Sequence, residues 1–158
     1  MTLFLISCNE KQKTEFSLSG KTNGIENGTV LYLDDNSAEN NLIDSTTVID
    51  NSFNFKTKLS KAPLKVALRT KTYSNYRFLW LENNTMTFDG TKSDFRNAIV
   101  TGSIEENLSQ TLSKETESLP SDEQLKKNME FVSMNPNSVN SAYILSVYST
   151  TWGKEKAK

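Results

Sequence analysis

Side chains that could perform catalysis are scarce in this sequence. The 158 residues include no histidine and a single cysteine, Cys8. The absence of histidine removes the usual general base at neutral pH and the commonest metal ligand. A lone cysteine can form neither an intrachain disulfide nor a Cys-x-x-Cys redox pair. The sequence therefore predicts that this chain is not an enzyme and has no catalytic, cofactor-binding or metal-binding residue.

Carboxylates are the remaining chemical candidates, and their pattern favours turns. One polar stretch contains four side chains of the kind that bind calcium: Asp34, Asp35, Asn36 and Glu39. The stretch lacks the ligand order and central glycine of an EF-hand, so we interpret it as a solvated loop. Asp44 and Asp50 flank one predicted strand, whereas a paired-carboxylate hydrolase needs both acids in one cleft. Nothing in the sequence places them in one cleft, and we interpret both as turn residues.

Aromatic and basic side chains suggest binding surfaces. Four aromatic residues could form one face: Tyr32, Tyr73, Tyr76 and Trp80. We favour the alternative in which Trp80 belongs to the core and the tyrosines lie at strand margins. Five residues could form a loosely basic side of a sheet: Lys58, Lys61, Lys65, Arg69 and Lys71. Such a side is usually solvated, and docking against a partner domain is the alternative.

The charge balance argues against one class of partner. The chain has 18 basic and 19 acidic residues, which gives a formal net charge of -1. The two signs are mixed along the sequence without a basic stripe, so the electrostatic footprint of a nucleic-acid-binding protein is missing. The sequence predicts no nucleic-acid partner.

The first 14 residues are interpreted as a signal peptide remnant, a lipobox and a tether. An apolar run leads into Cys8, and residues 5–8 (Leu-Ile-Ser-Cys) resemble the bacterial lipobox. The resemblance implies that residues 1–7 are removed and that Cys8 is acylated, with residues 9–14 as the tether. It predicts a membrane-anchored protein of the bacterial cell envelope, periplasm-facing or at the outer membrane. The alternative is a free cysteine on a short apolar first strand.

The middle of the chain has the alternating pattern of short β-strands between polar turns. Phe16 and Leu18 alternate with serines, and Phe53 and Phe55 repeat the spacing. Seven or eight such segments predict a mainly β fold, an antiparallel sandwich or an open barrel.

Two local predictions concern how these strands connect and pack. Residues 43–49 and 52–59 are joined by Asp50 and Asn51, a two-residue connection typical of a β-hairpin. Residues 76–82 include a continuous apolar run, which favours a central strand covered on both faces.

The carboxyl-terminal third of the chain changes to a helical pattern and predicts two or three helices. Ser103 and Glu106 have the spacing of a capping box, which opens a helix that continues to about Leu119 and is ended by Pro120. Ser121 begins a second box, and Ser138 opens a third helix. The second helix would bury an apolar stripe of Leu125, Met129 and Val132.

Several segments occur in the order and spacing of a known domain. These segments are residues 16–33, 43–46, 53–55, 78–82, 86–90, 102–103, 131–132 and 135–138. Together they resemble the uncharacterised β domain that precedes the thioredoxin-like domain in envelope lipoproteins of Bacteroidetes-type bacteria. The relatives that this resemblance suggests are thiol-disulfide oxidoreductases of the peroxiredoxin or cytochrome-maturation type.

The resemblance implies a non-catalytic accessory module that positions such an oxidoreductase domain or lends it substrate contacts. Three parts are expected: the lipobox and tether (1–14), a β-sandwich domain (15–102) and a helical appendage (103–158). The appendage would lead toward a thioredoxin-like domain beyond Lys158, so the family's redox activity cannot be assigned to any residue here. The alternative is a stand-alone surface lipoprotein that binds a glycan, a peptide or a protein partner.

Overall fold

The structure, a computed structural model, describes residues 15–37 and 42–152. Within these residues eight strands are followed by three helices. The strands are β1 (Phe16–Lys21), β2 (Val30–Asp35), β3 (Leu42–Thr47), β4 (Ser52–Thr57), β5 (Leu64–Thr70), β6 (Tyr76–Leu81), β7 (Thr85–Asp89) and β8 (Ile99–Thr101). The helices are α1 (Ile104–Thr116), α2 (Ser121–Met134) and α3 (Val139–Trp152), and a 3₁₀ turn (Phe95–Asn97) precedes β8.

The strands form two four-stranded sheets, ordered β4-β1-β7-β8 and β3-β2-β5-β6. This sandwich-like arrangement with carboxyl-terminal helices confirms the predicted mainly β fold class. The expectation that all strands are antiparallel is wrong for one pair, because β1 and β7 run parallel with Ser17 opposite Thr85. A parallel neighbour needs a long connection, and here five strands intervene in the chain between β1 and β7.

The main core lies between the two sheets and follows the alternation in the sequence. Phe16 and Leu18 of β1 are fully buried, as are Leu31 and Leu33 of β2 and, almost entirely, Phe55 of β4. Their strand neighbours point the opposite way, because successive side chains of a strand alternate between its faces. The alternation therefore fixes which side chains are left on the outer faces.

The predicted hairpin between residues 43–49 and 52–59 is wrong beyond its turn. Asp50 and Asn51 do form a left-handed two-residue turn, with φ of 48° and 57°, closed by a bridge between Ile49 and Ser52. Pairing stops there, because β3 belongs to the sheet of β2 and β4 to the sheet of β1. The physical reason lies at Val48, which is fully buried. Its N–H donates to the carbonyl of Thr29 at 2.9 Å, which ties β3 to the start of β2.

The prediction of a central strand at residues 76–82 is also corrected. β6 is an edge strand of its sheet, hydrogen-bonded to β5 alone among the described strands. Its apolar run nevertheless has both faces covered, since Leu79, Trp80 and Leu81 are all buried. Leu79 and Leu81 face the main core, while Trp80 lies on the other face beneath Tyr143 of α3. Helix packing, and not a second neighbouring strand, explains the continuous apolar run.

The helices differ from the predicted boundaries at Pro120. α1 ends at Thr116, because a residue that precedes proline is disfavoured in helical conformation and the chain leaves the helix earlier. The predicted second capping box is wrong: Pro120 occupies the N-cap position and no side chain caps α2. Ser121 is already the first helical residue, so it cannot cap its own helix.

The three helices share a second, smaller core. Leu112 of α1 and Ile144 of α3 are its most buried members. The predicted stripe packs against them: Leu125, Met129 and Val132 of α2. The helical appendage therefore has its own apolar cluster beside the sandwich.

Candidate binding face

The outer side of the β3-β2-β5-β6 sheet carries a cluster of rings and cations that we call the aromatic face: Tyr32, Arg69, Tyr73, Tyr76 and Phe78. Three of these residues form a row across neighbouring strands, since Tyr32 lies opposite Arg69 and Arg69 opposite Tyr76. Their neighbours Leu33 and Leu68 face the main core. The row therefore points away from the core.

Arg69 is the centre of this face. Its guanidinium carbon lies 5.0 Å from the centroid of the Tyr32 ring and 4.5 Å from that of Tyr73. Its Nε also donates to a carboxylate oxygen of Asp34, and both side chains of this ion pair are largely buried. Cation–π contacts contribute about 0.5–1 kcal/mol at exposed sites and about 2 kcal/mol when desolvated, so the largely buried guanidinium restrains both rings.

The rings continue along β6 in edge-to-face contacts. The centroids of Tyr73 and Tyr76 are 6.4 Å apart, and those of Tyr76 and Phe78 are 5.7 Å apart. Arg96 lies over Tyr76 at 4.3 Å and donates to its hydroxyl oxygen. Phe78 is 47% exposed and Tyr73 50% exposed, although both are large aromatic residues. Contiguous exposed rings on a folded surface are typical of interaction sites.

Tyr73 reaches this face through an uncommon backbone conformation. Its φ is +57°, a region that bulky residues rarely adopt. The turn around it is fixed by Thr70, whose hydroxyl accepts a hydrogen bond from the Asn75 N–H at 3.2 Å. Strained residues persist where the surrounding contacts over-determine them, and such residues are enriched at binding sites.

Trp80 lies beyond Phe78 on the same side of β6, but it is buried and does not belong to the exposed aromatic face. It is 4% exposed and contacts Tyr143 edge-to-face at 6.1 Å. The Lys65 ammonium lies 3.3 Å from the Tyr143 centroid. The interpretation of Trp80 as a core residue is confirmed. The placement of the tyrosines at strand margins is wrong for Tyr32, which lies inside β2.

Sequence reasoning missed Phe78, and a signal for it existed. Phe78 lies inside the continuous apolar run, whose pattern predicts that it is covered. The period-two register of Leu79 and Leu81, both core-facing, puts Trp80 and Phe78 on the opposite face. A helix covers Trp80 but leaves Phe78 open, and no local pattern distinguishes the two.

Helix α1 fixes the sandwich edges next to this face. Glu106 accepts a hydrogen bond from the Trp80 N–H at 2.9 Å, on the open edge of β6, and another from Arg77 at 2.8 Å. One turn later, the amide of Gln110 accepts from the Val100 N–H and donates to the Val100 carbonyl of β8. One helix face thus occupies edge groups of both sheets, which would otherwise be free to pair with another chain.

Glu106 was expected to reach back to Ser103, and that half of the capping box is wrong. The Ser103 hydroxyl does accept from the Glu106 N–H at 3.0 Å, so the other half is confirmed. Glu82 completes the helix start instead, accepting from the Ser103 hydroxyl and the Glu105 N–H. Burial raises the pKa of the Glu106 carboxyl above its ordinary value, although the Trp80 hydrogen bond and the charge of Arg77 both act to lower it.

Glu105 caps the start of α3. Its carboxylate accepts hydrogen bonds from the Ser138 hydroxyl at 2.6 Å, the Val139 N–H at 3.1 Å and the Asn140 N–H at 3.0 Å. Backbone N–H groups at a helix start need acceptors, and a carboxylate also suits the helix dipole. α3 is thereby held where its Tyr143 covers Trp80.

The acidic residues considered as possible calcium ligands or hydrolase acids have different partners and do not share one site. Asp34 pairs with Arg69 on β2, and Asp35 accepts from the Ser37 N–H and hydroxyl. Asp44 accepts from the N–H of its neighbour Ser45, and Asp50 lies in the turn before β4. Within the described part of the chain, no three acidic or sulfur-containing side chains are grouped as metal ligands would be. Asn36 is an exposed turn residue, and Glu39 lies outside the described residues.

The basic side predicted for the sheet is divided between two regions. Arg69 and Lys65 belong to or border the aromatic face. Lys71 lines a cleft at the end of the sheet, and Lys58 and Lys61 lie exposed in the connection between β4 and β5. The lipidation candidate Cys8 lies outside the described residues. None of the helices among residues 15–37 and 42–152 has the length and apolarity needed to cross a bilayer.

Comparison with known proteins identifies the family of the β domain. The sequence profile described as "Domain of unknown function (DUF4369)" matches residues 16–108, which is more than half of the chain. The match starts at β1 and extends into α1, so it includes Glu105 and Glu106. No curated protein and no solved structure is significantly similar to this chain. On the profile match, the chain belongs to the DUF4369 family of domains of unknown function.

Proposed function

We propose that the chain is a non-catalytic binding module of a lipid-anchored envelope protein, and that its aromatic face contacts a protein partner. The observation that carries this proposal is the exposure of Phe78 and Tyr73 on a face that Arg69 and Arg96 hold in order. Tyrosine and arginine are enriched among residues that dominate protein interfaces, and rigid rings lose little entropy on binding.

The partner proposed is the thioredoxin-like domain of a thiol-disulfide oxidoreductase, or a substrate of that domain. The support is the resemblance of eight sequence segments to the accessory domain of such envelope lipoproteins. A positioning or contact role requires neither histidine nor a pair of cysteines. It is therefore compatible with a sequence that contains neither. The bacterial envelope, periplasm-facing or at the outer membrane, is the proposed location because of the lipobox-like residues before Cys8.

The competing proposal is a stand-alone surface lipoprotein that binds a glycan, a peptide or another protein. The two proposals share the binding role and differ in whether an oxidoreductase is the partner. The gene sequence after the codon of Lys158 discriminates them. A Cys-x-x-Cys at a strand-to-helix junction in the same reading frame supports the first proposal, and a stop codon without such a domain supports the second.

Photocrosslinking in cells of the source bacterium tests the aromatic face directly. Phe78→p-benzoylphenylalanine puts a photoreactive ring at an exposed position of this face. We expect ultraviolet light to produce a crosslink to a segment with a Cys-x-x-Cys, in the same polypeptide or another one, identified by mass spectrometry. The matched control is Ile99→p-benzoylphenylalanine, because Ile99 is 53% exposed on the other sheet.

Three outcomes test the two proposals. A thioredoxin-like adduct at position 78 and not at position 99 supports the proposal. Adducts with unrelated envelope proteins or glycoconjugates at position 78 favour the stand-alone lipoprotein. Equal adducts at both positions, or none, would contradict a binding role of the aromatic face.

A further inference from the structure

A separate cleft lies at the end of the β3-β2-β5-β6 sheet, between the β1–β2 loop and the β5–β6 turn. It has a volume of about 610 Å³, and we call it the loop cleft; its walls include Gly24, Glu26, Thr29, Lys71 and Asn75. Sites for small molecules commonly have volumes of about 300–1,000 Å³. The cleft touches the aromatic face only at Tyr32, so it is a distinct surface.

Both walls of the loop cleft are held in place by hydrogen bonds. On one side, the Gly28 N–H donates to the Val48 carbonyl at 2.9 Å and the Thr29 N–H to the Glu26 carbonyl at 3.1 Å. On the other side, the hydroxyl of Thr70, which is 6% exposed, accepts from the Asn75 N–H at 3.2 Å. A cleft with fixed walls binds without first ordering its own loops.

The polar groups in the cleft have capacity for a ligand. The side chains of Glu26, Thr29, Lys71 and Asn75 make no hydrogen bond or ion pair with any other described residue. The hydroxyls of Thr72 and Ser74 also line the cleft; Thr72 donates to Ser74 at 3.2 Å and retains lone pairs that can accept from a ligand. The apolar part of the lining comprises Ile25, Val30 and the Tyr32 ring.

This combination selects a chemical class. One carboxylate and one ammonium line the same cleft, so their charges offset each other and a simple anion or cation gains no net attraction. A neutral ligand with hydroxyl groups can use both as hydrogen-bond partners, because the carboxylate accepts and the ammonium donates. Ligand hydroxyls match the mixed donors and acceptors, and ligand C–H groups suit the tyrosine ring and the aliphatic lining. We propose that the loop cleft binds a neutral glycan unit.

Nuclear magnetic resonance titration of the intact chain tests this proposal. The probes are the neutral disaccharides N,N′-diacetylchitobiose, cellobiose and maltose, with glucuronic acid as the anionic comparison. We expect at least one neutral disaccharide to shift the backbone amides of Thr29, Lys71 and Asn75, and to shift them more than glucuronic acid does.

Variants then connect those shifts to the cleft. We expect Glu26→Ala and Asn75→Ala each to weaken the binding about tenfold, because each removes an unpaired hydrogen-bonding group. The matched controls are Glu115→Ala and Asn54→Ala, at exposed sites remote in the fold. The shift map of the unmodified chain is a second readout that does not depend on how well a variant folds.

The outcomes separate this inference from the proposed function. Absence of shifts with every neutral probe, stronger binding of glucuronic acid, or unchanged binding in both cleft variants would each overturn it. Glu26→Ala should leave the photocrosslink at position 78 intact, because the cleft and the aromatic face share only Tyr32. Absence of a crosslink at position 78 in a chain that has an otherwise unchanged sequence and still binds the sugar would instead contradict the proposed function alone.

Discussion

At the scale of single residues, two adjacent glutamates account for the attachment of the helices. Glu106 is 2% exposed and Glu105 7% exposed, although glutamate is rarely buried without partners. Each carboxylate accepts several hydrogen bonds, Glu106 from Arg77 and the Trp80 N–H, and Glu105 from the start of α3. A buried charge is tolerated when its hydrogen-bonding capacity is filled. The pair therefore joins α1 both to the sandwich and to α3.

The raised pKa of Glu106 makes stability depend on pH. A carboxyl whose pKa is higher in the folded than in the unfolded chain contributes stability below its unfolded pKa, and this contribution is lost as pH rises through its folded pKa. Glu106→Gln removes the titration while keeping an oxygen that can accept from the Trp80 N–H. We therefore expect the free energy of unfolding of the original chain, relative to this variant, to decrease as pH rises from about 4 toward 7.

Urea unfolding followed by tryptophan fluorescence over that pH range measures the difference. The control is Glu123→Gln on α2, which removes a carboxylate from an exposed site and so accounts for the change in net charge. If the original chain instead became more stable relative to Glu106→Gln as pH rises, the pairing of Glu106 with Arg77 would outweigh its burial, contrary to the expected sign.

At the scale of elements, α1 completes the sandwich. Glu106 and Gln110 lie four residues apart on one helix face, and they occupy edge groups of β6 and β8 respectively. Because the two strands belong to different sheets, the helix closes the same side of both. The chain must turn sharply between β8 and α1 to allow this, and Gly102 is the residue at the turn.

Gly102 has a φ of +92°, and a Cβ built on it would lie 2.3 Å from the Thr85 carbonyl oxygen. We expect Gly102→Ala to destabilise the fold by about 3 kcal/mol, combining backbone strain with a clash against a paired strand. Gly28→Ala is the matched control, because Gly28 has a φ of +86° but nothing within 4 Å of the added atom. Its cost should be about 1 kcal/mol. Equal losses in thermal unfolding would mean that the contact with Thr85 is relieved cheaply.

At the scale of the whole molecule, the two proposed binding surfaces belong to the same sheet and adjoin at the β5–β6 turn. The β5–β6 turn carries Tyr73 on the aromatic face and lines the loop cleft with Thr72 and Ser74. Where the molecule is held decides which partners reach these surfaces. The proposed lipid anchor would restrict them to a membrane-adjacent layer.

Acylation at Cys8 is testable in cells of the source organism. We expect an alkyne-bearing palmitate analogue to label the protein. The protein should also sediment with membranes, because each acyl methylene buried in the bilayer contributes about 0.8 kcal/mol of binding free energy. Cys8→Ser should abolish the labelling and release the protein from the membrane fraction. Ser7→Thr, adjacent to the proposed acceptor, keeps a hydroxyl of similar size and should retain labelling. Unchanged labelling in Cys8→Ser would contradict the lipobox interpretation.

The sequence alone determined the strands in which apolar and polar residues alternate, and which face of each of those strands is buried. Alternation at Phe16 and Leu18, or at Phe53 and Phe55, is a local property, and a strand with such a pattern needs an apolar layer to cover it. The Ser103 cap and the left-handed turn at Asp50 and Asn51 were equally local, because they depend on neighbours in the chain.

Tertiary structure decided which elements became neighbours, and with them the aromatic face and the loop cleft. Arg69 lies between Tyr32 and Tyr73 because β2 pairs with β5, a choice that the pattern of neither strand encodes. The Glu106 carboxylate accepts from the Trp80 N–H and does not reach back to the Ser103 backbone, because a buried sheet edge needs an acceptor. Local patterns fix the conformation of a segment, whereas long-range contacts depend on which buried polar groups and apolar faces remain unsatisfied when the whole chain collapses.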